Sequence, residues 1–179
     1  YYTVKKLYVN FVRRLKGCSK ERSWTVWHYQ GTGKTIEMVY LSYQILKRLS
    51  RKLAPEPVVL IILDRTELQS QTIENFFQKL ELNLGFSVRK VYSFNDLILN
   101  IFKKGEAISP GVYTVLIQKF RKKRESKRWD LREILGLPKD VRLETLRRKK
   151  DIFIFIDEAH RSHYGELNKI LIKLFESAF

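Results

Sequence analysis

The 179-residue chain, 44% hydrophobic, is long enough for one domain with a real core. A single cysteine, Cys18, excludes an internal disulfide and fits a reducing cytosol, and the longest aliphatic run, residues 58–63, is far too short to span a bilayer. The formal net charge of +16 points to a polyanionic partner, nucleic acid foremost, with a Lys/Arg-rich solvated surface as the plainer alternative. Distribution favours the partner. Residues 119–150 hold 14 Lys and Arg against 5 Asp and Glu, a net of +9, whereas a general bias would spread evenly.

The chain opens on Tyr1-Tyr2 without Met or a secretory signal, so it is expected to begin inside a longer polypeptide. Val4, Leu7, Tyr8, Phe11, Val12 and Leu15 recur at three- and four-residue steps and predict a helix over 2–16, stopped by Gly17. A polar loop over 19–23 leads to Trp24-Thr25-Val26-Trp27, which reads as a first strand.

His28-Tyr29-Gln30-Gly31-Thr32-Gly33-Lys34-Thr35 follows, a glycine-rich turn opening a helical period. Such a turn aims successive backbone N–H groups into one concavity, and the helix adds its positive end. Lys34 supplies a full charge and Thr35 a hydroxyl suited to Mg²⁺. The general phosphate-loop pattern, Gly-x-x-x-x-Gly-Lys-Ser/Thr, is met except that His28 stands at its first glycine. The plainer alternative is a chance Gly-Lys-Thr in a surface turn, which the flanking strand and helix patterns oppose.

The helix from this loop is expected over 35–49, with Met38, Val39, Leu41, Ile45, Leu46 and Leu49 inward. Lys47, Arg48, Arg51 and Lys52 oppose its dipole near the C-terminal end. Pro55 and Pro57 break the chain before a buried parallel strand over 58–63, which ends at Asp64. A helix over 66–80, a strand near 88–92, a helix capped by Ser93 and ended by Gly105, and a strand over 112–117 come next. Residues 119–150 are basic and weakly periodic. A buried strand resumes at residue 152, reaching Asp157, and Leu167, Ile170, Leu171 and Leu174 mark a last helix.

Alternating strands and helices imply an α/β fold, a parallel sheet with helices on both faces and right-handed crossovers. Ligands bind such sheets beyond the carboxyl ends of the strands, where the phosphate loop, Asp64, Gln118 and Asp157 are expected. Asp157-Glu158 after a buried strand suits a nucleotide site. Asp157 can hold Mg²⁺ together with Thr35, and Glu158 can orient and deprotonate the attacking water. Taken alone, the pair could equally be an acidic helix cap. The spacing of His160 and His163 matches no standard zinc site.

Four stretches in order, HYQGTGKT (28–35), LDRTELQSQ (63–71), VLIQKF (115–120) and FIDEAHRSHYG (155–165), resemble the motor motifs of superfamily 2 helicases. More narrowly they resemble the restriction (R) subunit of type I restriction-modification enzymes. That family opens its phosphate motif with Trp-His-x-Gln-Gly, as residues 27–31 do. It extends its Asp-Glu-Ala-His box into Arg-Ser-x-x-Gly, as Arg161, Ser162 and Gly165 do. Its Asp-Arg-x-x-Leu-x-x-Gln motif is matched by Asp64, Arg65, Leu68 and Gln71. His28 is then a family feature.

The resemblance implies an incomplete first RecA-like P-loop lobe of an ATP-driven double-stranded DNA translocase, working before a separate nuclease domain cuts. ATP would be held by His28, Gln30, Gly31, Thr32, Gly33, Lys34 and Thr35. Lys34, Asp157 and Glu158 would be catalytic, with Mg²⁺ on Thr35 and Asp157. Arg65, Thr114, Gln118 and Lys119 are candidates to grip the DNA backbone, with loop and cap chemistry as the plainer alternative. The implied partners are duplex DNA and the modification and specificity subunits, in the cytoplasm. The nuclease domain, the third motif and the second lobe find no match, so the chain alone is expected to hydrolyse almost no ATP. Other expectations kept open are another superfamily 2 helicase or remodeller lobe, and a non-hydrolysing DNA-binding module.

Overall fold

The structure is a computed structural model. It describes residues 2–27, 29, 33–49, 52–63, 87–91, 110–116 and 151–157, together with Asn75, Gln78 and Asp96. Four parallel strands form one sheet in the order β2-β3-β1-β4: β1 is Val58–Leu63, β2 Ser87–Val91, β3 Gly111–Leu116 and β4 Ile152–Ile156.

The first of these, β1, is central because every side chain in it is apolar and most are β-branched, which suits a strand covered on both faces. All six of its residues are buried. Its neighbours are set in register, Val59 beside Val112 and Phe153, and Ile61 beside Thr114 and Phe155. Strand entry is pinned by long-range bonds. The Val58 N–H donates to the Asp151 carbonyl at 2.9 Å, and the Gly111 N–H to the Pro57 carbonyl at 3.2 Å. The buried Asp151 carboxylate accepts the Glu56 N–H at 3.0 Å.

Helix α1, Tyr2–Leu15, and helix α2, Lys34–Tyr43, lie on one face of the sheet. Val4 and Phe11 of α1 join Val39 and Leu41 of α2 in one cluster with Val59, Ile61, Leu63, Val112 and Phe153. Gly17 ends α1 as expected. Its φ of 77° is left-handed, its N–H reaches the Arg14 carbonyl at 2.9 Å, and the Cys18 N–H reaches back to Arg13 at 2.8 Å. Those two bonds are the Schellman stop, in which glycine avoids the Cβ penalty.

Three expectations need correction. Residues 24–27 are not a strand: a strand needs a ladder, and among the described residues these four pair with none of the sheet's strands. The helix expected over 35–49 starts at Lys34 and passes after Tyr43 into a π-helical turn, Gln44–Arg48. The Leu49 N–H donates to the Gln44 carbonyl at 3.1 Å, which seats Ile45, Leu46 and Leu49 together in the core. One turn earlier Ser42 Oγ donates to the Met38 carbonyl at 2.7 Å, a back-bond that loosens the regular ladder. Strands β2 and β3 each begin one residue earlier than expected, and the expected last residues, Tyr92 and Ile117, lie outside the described residues.

Asn75, Gln78 and Asp96 are helical, within the helices expected there, and the remainder of those helices lies outside the described residues. So do residues 119–150 and the final helix. Among the described residues no helix is long and apolar enough to cross a membrane.

Candidate nucleotide-binding site

Gly33 caps α2 with φ 90° and ψ 22°, a left-handed conformation that favours glycine. Its carbonyl accepts the Glu37 N–H at 3.1 Å, the first bond of the helix, and no side chain caps the helix start. Lys34 and Thr35 follow directly, both half-buried. A helix start of this form concentrates positive potential where an anion can approach.

Chain geometry places that start at the carboxyl edge of the sheet. The C-terminal end of α2 leads through residues 49–57 into the amino end of β1. At 10 residues plus the 5 of the π-turn, the helical run is about 22 Å long, against about 20 Å for β1. Its N-terminus therefore lies at the opposite edge, where the strands end.

Asp157 leaves β4 at that same edge. Its N–H donates to the Ile62 carbonyl at 3.0 Å, so the ladder with β1 continues through it. Alternation along the strand puts Asp157 on the side of Phe153 and Phe155, which is the side covered by α1 and α2. The fold thus carries Lys34, Thr35 and Asp157 to one edge and one face. Thr35 and Asp157 offer a hydroxyl and a carboxylate, hard oxygen donors whose chemistry fits Mg²⁺.

Thr114 does not lie at an accessible edge. It sits within β3 at 2% exposure, beside Ile61 and Lys90 in register, and its Oγ1 has no hydrogen-bond partner among the described residues. A side chain so enclosed cannot meet a DNA phosphate, so its sequence-based assignment as a DNA contact is corrected to packing. His28, Gln30, Gly31, Thr32, Asp64, Arg65, Gln118, Lys119 and Glu158 lie outside the described residues.

Three features escaped sequence reasoning. Phe11 packs edge-on against Trp24 and tilted against Phe153, with ring centroids 5.2 Å apart in each pair. Periodicity marked Phe11 as apolar but could not name its partners. The loop holding Trp24 is itself ordered: Arg14 donates to the Ser19 carbonyl at 3.1 Å, the Glu21 N–H to Ser19 Oγ at 3.2 Å, and Trp24 Nε1 to Glu21 Oε2 at 3.1 Å. Burial also pushes the Tyr113 phenol above its ordinary pKa, opposed by the Arg89 charge. Burial raises Tyr8 likewise, opposed by Arg48 of the π-turn.

A left-handed glycine opening a helix on a parallel sheet, with a carboxylate following a parallel strand, fits a nucleotide-binding α/β lobe. The chain belongs to the SWI2/SNF2 ATPase family, whose sequence profile matches residues 1–179. It is similar to two Methanocaldococcus jannaschii proteins provisionally named type I restriction enzyme endonuclease subunits. To MjaVIIIP it is 30% identical over 99% of this chain and 17% of that protein, and to MjaIXP 32% identical over 99% and 15%. The HindI type I restriction enzyme endonuclease subunit of Haemophilus influenzae is 26% identical over 86% of this chain and 13% of its own length. The chain therefore spans about a sixth of the curated relatives it matches most fully. No solved structure matches it.

Proposed function

We propose that this chain is the ATP-binding lobe of a type I restriction enzyme R subunit, where it hydrolyses ATP to drive translocation along duplex DNA before cleavage. The observation that carries this is the opening of α2 at Gly33-Lys34-Thr35 on the sheet edge where Asp157 leaves β4. The restriction-enzyme names of the relatives support the system in which that site works.

Lys34 would supply positive charge to the nucleotide's phosphates, with Gln30, Gly31, Thr32 and Gly33 as further phosphate-binding residues. Thr35 and Asp157 would hold Mg²⁺, which would supply neutralisation of charge developing on the phosphates. Glu158 orients the attacking water and accepts its proton. His28 belongs to the same phosphate loop. Arg65, Gln118 and Lys119 would contact the DNA backbone. In the cell the lobe acts in the cytoplasm within a complex that includes modification and specificity subunits.

The SWI2/SNF2 match favours one second reading, a chromatin-type remodeller lobe, since that family supplies the profile for the whole chain. Stimulation of ATPase activity in the complete gene product separates the possibilities. Duplex DNA is expected to stimulate it and RNA is not, with Lys34→Ala reducing activity to background. RNA-selective stimulation, or full activity in Lys34→Ala, would overturn the proposal. Duplex stimulation without ATP-dependent cleavage in the presence of the modification and specificity subunits would favour the remodeller.

A further inference from the structure

Helix α1 touches both halves of the candidate site without belonging to either. Phe11, 4% exposed, packs against two other aromatic rings. One is Trp24, in the segment leading to the proposed phosphate loop; the other is Phe153, on the strand leading to Asp157. The same helix packs on α2, whose first residues are Lys34 and Thr35. Trp24 is also held by the Nε1 bond to Glu21. Phe153 is completely buried and in register with Val59.

From these contacts we infer that Phe11 is a positioning residue that sets the Asp157 strand against the phosphate-loop segment and so aligns the two halves for hydrolysis. The inference rests on the ATPase reading above. Tilted and edge-to-face aromatic pairs are directional, so the two contacts fix the angle as well as the separation of what they join. Leucine can fill most of the volume but cannot reproduce that angular preference. Phosphoryl transfer depends mainly on position, and a displacement of about 1 Å can cost about a hundredfold in rate. ATP binding draws mostly on the phosphate loop itself and is less sensitive to the same shift.

The test is steady-state, duplex-stimulated ATPase of the complete gene product carrying Phe11→Leu, Phe11→Met, Trp24→Leu or Lys34→Ala. Phe11→Leu is expected to lower kcat about tenfold or more while the KM for ATP moves less than about threefold. Phe11→Met, whose thioether packs against rings, is expected to recover part of kcat. Trp24→Leu, at a half-buried partner, should reproduce the kcat loss with the fold intact. Unchanged kcat in Phe11→Leu and Trp24→Leu would overturn the inference. So would kcat and ATP affinity falling together with the melting temperature, which is what a merely structural role produces. Full activity in Lys34→Ala would instead remove the ATPase reading on which the inference stands.

Discussion

Strand β1 and residues 24–27 are both rich in apolar and aromatic or β-branched side chains, yet they end in opposite environments. Val58, Val59, Leu60, Ile61 and Ile62 are completely buried, whereas Val26 and Trp27 are 38% and 80% exposed. Composition does not separate them. What separates them is the ladder: β1 has β3 and β4 in register on either side, and residues 24–27 have none among the described residues. A strand is a property of neighbours, and β-propensity only says which residues profit once neighbours exist. The same contrast divides structure from chemistry. Strand β1 is buried, and Val26 and Trp27, which lead to the proposed phosphate loop, are exposed.

That contrast can be broken by mutation. Ile61→Ala removes a completely buried side chain and is expected to destabilise the chain by about 2–5 kcal/mol in equilibrium denaturant unfolding. A loss under about 1 kcal/mol would mean that the β1 core relaxes far more than its enclosure indicates. Asp151→Ala strips the Glu56 N–H of its acceptor and should cost about 1–3 kcal/mol in the same measurement.

Tyr113 gives a pH-dependent test of the interior. Its pKa is raised in the folded chain from an ordinary value of 10.0, chiefly by burial. A raised folded pKa means that the unfolded chain releases the proton first. The neutral phenol's contribution is therefore complete below pH 10 and is lost as pH rises beyond it. Tyr113→Phe should flatten that alkaline limb, and an unchanged limb would show that Tyr113 does not cause it. The smallest effect belongs to the open segment: Trp27→Ala should change stability by no more than about 0.5 kcal/mol. A loss comparable to Ile61→Ala would erase the distinction between the two regions.

Much of the scaffold was legible because its signals are local. The run over 58–63 announces a buried strand by composition alone, and Gly17 announces a helix stop by its tolerance of positive φ. Lys34, Thr35 and Asp157 stand out as a proposed site because spacing and residue type suggest the chemistry; of these, the structure shows the Gly33-capped opening of α2 and the Asp157 bond to Ile62. The failures are all long-range. Residues 24–27 look like a strand until the ladder is examined. The π-turn over 44–48 arises where the buried cluster needs Ile45, Leu46 and Leu49 together, which a regular helical period does not indicate. Thr114 looked available because its strand ends nearby, but register encloses it beside Ile61. The Phe11–Trp24–Phe153 contacts join residues far apart in sequence, and no periodicity connects them.

The central claim is that α2's opening turn and the end of β4 form one ATP–Mg²⁺ site. The most direct measurement compares nucleotide binding with hydrolysis in Asp157→Asn of the complete gene product. The substitution keeps the shape and the Asp157 backbone bond to Ile62 but removes the charge proposed to hold the metal. The account predicts that Mg²⁺-dependent hydrolysis falls to background while ATP still binds in the absence of Mg²⁺. Hydrolysis at the unsubstituted rate, with unchanged dependence on Mg²⁺, would contradict it.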